Sequence, residues 1–97
     1  MPSNIIFTLP KPRRDLNRYC NRVLLNWLER AEACRCQSID VYNRASQTKS
    51  GDLISRYAVV IDARNMVEDI REILILRKFS AATIDEKLQQ VAEDIKS

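Results

Sequence analysis

DLISRYAVVIDARNMVEDIREILILRK (52–78) carries the pattern that decides the fold. Val60, Ala63, Val67, Ile70 and Leu74 recur at steps of three and four, with Val59, Met66 and Ile73 beside them. Such spacing puts an apolar seam on one side of an α-helix, and this seam is broad enough for two neighbours. A helix over about 52–78 is therefore expected. Downstream, KFSAAT turns the chain. Ser80 can cap a new helix, and Thr83 with Glu86 reads as a capping box. Ile84, Leu88, Val91 and Ile95 then form an apolar row, which predicts a third helix over 81–96.

Upstream of the seam, SQTKSGD (46–52) is small, polar and holds the only glycine. It reads as a loop in which Ser50 or Asp52 would cap the helix that follows. Before it, Leu16, Cys20, Val23, Trp27, Ala31 and Cys34 make another stripe, widened by Leu24 and Leu28. Pro10 and Pro12 punctuate its start, since proline suits the first helical turn and little beyond it. The expectation is a helix over about 12–46 after an N-terminal segment 1–10. It is either unbroken, and then about 50 Å long, or broken near Gln37–Ser38. With one glycine, three prolines and no alternating strand pattern in 97 residues, an all-β chain is excluded. The sequence predicts a single all-α domain, an antiparallel bundle of three to four helices with short connections.

Charge is unevenly spread. Residues 1–49 carry nine Lys/Arg against four Asp/Glu, whereas residues 50–97 carry seven against nine. The densest stretch is KPRRDLNRYCNR (11–22), with five cations and one carboxylate, Asp15. On a continuous helix Lys11, Arg14, Arg18 and Arg22 would share one ridge, with Arg13 beside it. Like charges at that spacing repel by a few tenths of a kcal/mol per pair, and the helix dipole disfavours cations at its start. An arrangement unfavourable in itself points to an anion that relieves it, and nucleic-acid phosphate is the obvious polyanion. Lys11, Arg13, Arg14, Arg18 and Arg22 are the candidate contact residues. A second basic line, Arg64, Arg71 and Lys78, lies within reach of Glu68 and Glu72 and reads as salt bridges. Glu29, Arg30 and Glu32 mix signs as a solvated face does.

Catalytic chemistry finds little footing. There is no histidine, the commonest general base and metal ligand. Cys20, Cys34 and Cys36 are one short of a structural zinc set, and an odd number reads as free thiols in a reducing, cytoplasmic setting. A single glycine cannot build a phosphate-cradling loop. Neighbouring carboxylates such as Glu68–Asp69 and Asp85–Glu86 point different ways around their helices. Trp27 belongs to an apolar stripe, so it is expected in the core rather than against a base, while Tyr19 and Tyr57 flank their stripes as half-buried edges. No signal peptide and no membrane span is expected. The chain reads as a non-enzyme without cofactor or metal.

LPKPRRDLNRY (9–19), LLNWLERA (24–31) and REILILRKFSAATIDEKLQQVAEDI (71–95) together resemble the accessory variability determinant (Avd) family of diversity-generating retroelements. The wider group is the small four-helix-bundle proteins that include those encoded in ribosomal-RNA intervening sequences. The shared features are the Pro-Lys-x-x-Arg opening of a basic helix, its apolar continuation, and a Leu-rich helix that turns through a Ser cap into a last helix. The resemblance implies a homopentamer of four-helix protomers that binds RNA or an RNA–DNA intermediate through Lys11, Arg13, Arg14, Arg18 and Arg22. It further implies association with a reverse transcriptase in mutagenic cDNA synthesis. The family opens with a full apolar helix where IIFTL (5–9) stands here, so either a shortened helix or a break at Ser38 would supply the fourth element. The alternative reading is a helical adaptor whose broad seam on the second helix receives a protein. A dimeric DNA-binding regulator is weaker, because no short helix–turn–helix spacing occurs.

Overall fold

Pro10 and Pro12 bias Leu9 and Lys11 towards extended backbone, and among the described residues the first α-helical one is Asn21. The structure, a computed structural model, describes residues 8–48 and 53–96. Over the described residues it is all-helical: a 3-10 turn at Leu16–Arg18, then α1 (Asn21–Gln47), α2 (Leu53–Leu76) and α3 (Ala81–Lys96). The expected helix from residue 12 is thus replaced, over 8–20, by an irregular strap. Asp15 opens its one turn, where the Arg18 amide donates to the Asp15 carbonyl at 2.9 Å and the Tyr19 amide to that of Leu16 at 3.2 Å. The physical reason lies in the two X-Pro steps, which keep the residues before each proline out of the helical region, while Leu9, Leu16 and Tyr19 still reach the core from this irregular backbone.

α1 runs without a break through Ser38, whose hydroxyl lies 3.7 Å from Cys34 Sγ on the preceding turn. Its buried face is centred on Leu24, Leu28 and Ala31 rather than on the Cys20–Val23–Trp27 line, and Cys20 is exposed. Glu32 is buried too, against the expectation of a solvated face. Arg35 satisfies its carboxylate in a two-pronged hydrogen bond, the second prong at 3.1 Å, and that bond holds the Arg35 proton more firmly than usual. The polar loop begins later than its composition suggests, since Ser46 and Gln47 still belong to α1. The expected caps Ser50 and Asp52 lie outside the described residues.

α1 and α2 are antiparallel. Tyr42 and Tyr57 meet at one end with ring centroids 5.2 Å apart, and Arg77 reaches the start of α1 at the other. α2 ends in a C-terminal motif in which the Phe79 amide donates to Leu74 O at 3.0 Å and the Lys78 amide to Ile75 O at 2.9 Å. Lys78 occupies the left-handed position with φ 74°. α3 starts at Ser80, whose Oγ accepts the Thr83 amide at 3.5 Å. Thr83 is therefore the partner of a cap, not the first member of a Thr83–Glu86 box. Arg71 pairs with Asp85 on α3 at 3.0 Å, while Arg64 takes Glu68 at 3.2 Å.

The core gathers at one end. Leu24, Leu28 and Ala31 from α1 meet Met66, Val67, Ile70 and Leu74 from α2 and Ile84 from α3. With 27 residues against 16, α1 outruns α3 by about 16 Å. Beyond α3 the hairpin of α1 and α2 stands alone, and Ile54 is 88 % exposed there. No helix among the described residues is long and apolar enough to cross a membrane.

A side chain in the left-handed region costs about 1–2 kcal/mol, part of which glycine would return through a freer unfolded chain. Lys78→Gly is therefore expected to stabilise the fold by about 0.5–1 kcal/mol, a rise in Tm of roughly 4 °C for a domain of this size. Thermal unfolding followed by circular dichroism checks it; a lowered Tm would mean that the lysine side chain does something the turn needs.

Candidate nucleic-acid interface

The strap brings the five candidate residues together in a way the helical reading did not foresee. Lys11, Arg13 and Arg14 lie in extended and bent backbone, Arg18 ends the 3-10 turn, and only Arg22 stands on α1. The single helical ridge of Lys11, Arg14, Arg18 and Arg22 does not exist. The irregular backbone therefore does not stack these charges at the i,i+4 spacing of one helical face. All five side chains are exposed, and among the described residues none of them is in an ion pair. With Asp15 as the one carboxylate in 11–22, the segment carries a net charge of +4.

The seam between strap and α1 adds to this field. Cys20 is the N-cap and makes no side-chain hydrogen bond to the helix start, and the first turn holds no acidic residue. The partial positive charge of a helix N-terminus thus lies unopposed beside Arg18 and Arg22. On the other flank, Arg14 and Asp15 share an open groove of about 560 Å³ with Asp69 and Glu72 of α2. Those carboxylates mark where the basic surface stops.

Tyr19 fixes the strap by three routes. Its ring lies against Trp27 with centroids 4.5 Å apart and planes at 58°. Its hydroxyl accepts the Arg13 amide at 2.9 Å, which folds the basic loop back on itself. Its carbonyl accepts from Arg77 Nη1 at 2.7 Å. Arg77 also donates from Nη1 to Asn21 Oδ1 at 2.9 Å and from Nη2 to Asn17 O at 2.6 Å. Every one of these acceptors is neutral, so the positive charge of Arg77 is retained beside the strap. Sequence reasoning missed Arg77. A cation at a helix C-terminus is the ordinary complement to the dipole, and nothing local signals acceptors 56–60 residues away.

The exposed cations have the geometry for contact with a polyanion. Trp27 is half-buried against the core, where its ring serves the strap rather than a base. Among the described residues no group of three or more cysteines and carboxylates could hold a metal ion. Cys34 is buried and Cys20 exposed.

Tyr19→Phe keeps the ring and removes the acceptor of the Arg13 amide. Hydrogen exchange at that amide is expected to speed up several-fold, with a stability loss below about 1 kcal/mol for an exposed bond; an unchanged exchange rate would place the protection elsewhere. No family model, no curated protein and no solved structure matches the chain, so the functional reading stands on the chemistry of the strap.

Proposed function

We propose that the protein is a non-enzymatic nucleic-acid-binding accessory protein that holds RNA or an RNA–DNA intermediate by its phosphates. The observation that carries the reading is a packed strap and the first turn of α1 that together present Lys11, Arg13, Arg14, Arg18 and Arg22 to solvent, with no carboxylate paired to any of them among the described residues. Contacts of this kind position a nucleic acid without reading its sequence. A strap already seated on the core loses less conformational entropy on binding than a free tail would.

The partner and the assembly follow from the resemblance to the Avd family. On that pattern the protein works beside a reverse transcriptase in the cytoplasm, as a homopentamer of the four-helix-bundle type. The second reading, a helical adaptor that binds protein alone, is favoured by one feature: Ile54 and Tyr57 on α2 are exposed, and so is Leu76, at 73 %.

Binding to a single-stranded polyribonucleotide across a salt series tests the proposal. Each phosphate neutralised contributes about 0.7 to the slope of log affinity against log salt. Replacing Arg14, Arg18 and Arg22 together by Gln is expected to lower that slope by about 2 and to weaken binding at moderate salt by more than tenfold. A shallow slope in the parent protein, or affinity untouched by the triple replacement, sinks the reading. Association with an acidic protein in its place would then favour the adaptor. A reverse transcriptase that copurifies with the chain would support the assignment of partner.

A further inference from the structure

We infer that Arg77 is the positioning residue of the basic strap: its guanidinium, bonded to Asn17 O, Tyr19 O and Asn21 Oδ1, sets the arrangement in which Arg18 and Arg22 meet phosphate. The inference rests on the nucleic-acid reading above and adds to it a residue outside the basic segment. Three features of Arg77 support it. The first is its acceptors: two belong to the strap backbone and the third, Asn21, is the first residue of α1. One planar group therefore clamps both sides of the junction at Cys20, with Arg18 just before it and Arg22 just after.

The second is what stands behind the guanidinium. Arg77 closes α2, its own amide bonding back to Ile73 O at 3.0 Å and Leu74 O at 3.1 Å, and Lys78 then turns left-handed. Leu74 is fully buried and Phe79 packs on the core. The base of the Arg77 side chain is thus anchored to the most solvent-excluded part of the molecule. The third is the use of its hydrogens. Arginine has five N–H donors in a rigid fork, and at least three hydrogen bonds are spent on the protein itself. Arg18 and Arg22, by contrast, make no ion pair among the described residues and remain open to a ligand.

Lysine in place of Arg77 keeps the charge and loses the fork, since an ammonium cannot span acceptors spread over three residues. Arg77→Lys, Arg77→Gln and Asn21→Ala would each be compared with the parent full-length chain in three measurements. These are affinity for a single-stranded 20-nucleotide polyribonucleotide over a salt series, the rate of tryptic cleavage after Arg18, and helix content by circular dichroism. Arg77→Lys is expected to speed cleavage several-fold and weaken binding about tenfold, with the salt slope unchanged because every phosphate contact is still made once the strap re-orders. Asn21→Ala, which leaves the end of α2 intact, should shift cleavage and affinity the same way by a smaller factor, and it stands in if the Arg77 variants lose helix content.

Two results overturn the inference and leave the nucleic-acid reading in place. One is faster cleavage with unchanged affinity. The other is a loss seen with Arg77→Gln but not Arg77→Lys, with a slope reduced by about 0.7, which would make Arg77 a phosphate contact. If replacing Arg14, Arg18 and Arg22 leaves affinity unchanged, the reading of function itself fails and the positioning role falls with it.

Discussion

Leu24, Leu28, Ile70, Leu74 and Ile84 are completely or almost completely withdrawn from water, and the position of everything else follows from that cluster. Each such side chain contributes roughly 1.5–3 kcal/mol of transfer free energy. Because the cluster sits at one end of the hairpin of α1 and α2, that end can order a segment whose own helical hydrogen bonding is one 3-10 turn. Leu9, Leu16 and Tyr19 rest on it from the strap, Phe79 from the turn between α2 and α3, and Leu88 from α3. The surface ion pairs add little by comparison: Arg64–Glu68 is exposed on both sides, and such pairs are worth at most about 1 kcal/mol.

Helical periodicity was legible wherever it reflected burial. The Val60–Leu74 seam predicts the buried face of α2, and Ile84 heads the row of α3. The first helix misled because its stripe continues in sequence past the point where the backbone leaves the helix. Leu16 and Cys20 fall in phase with Val23 and Trp27, yet Leu16 packs from a 3-10 turn and Cys20 faces solvent. The prolines held the information that mattered. A single proline suits a helix start, but two X-Pro steps separated by one residue keep the backbone out of the helical region for longer than one helix entry needs.

The candidate site was legible in composition and illegible in geometry. The strap residues announce themselves by charge density, and all five are exposed. How they are arranged depends on Tyr19, Trp27 and Arg77, whose contacts cross from strap to α1 and from α2 to both. None of these pairings has a signature in local spacing. Charges that would stand on one helical ridge are carried instead by an irregular strap and the start of α1. What remains is a net positive segment at a helix start that lacks an acid in its first turn.

The two ends of the molecule therefore pose different physical problems. At the strap end, charge is exposed over a well-filled core. At the other end Ile54 and Tyr57 are exposed, and the buried apolar side chains outside the main cluster among the described residues are the small or medium-sized Ala33, Cys34, Ala45, Val60 and Ala63. Charge repels a second copy of the same surface, and bare aliphatic surface attracts almost any apolar partner. Association through the strap without an intervening polyanion is disfavoured, since two straps would oppose a net +4 each. Ile54 and Tyr57 thus stand at the opposite end from the basic strap because the one core lies at the strap end and leaves the other end of the hairpin uncovered.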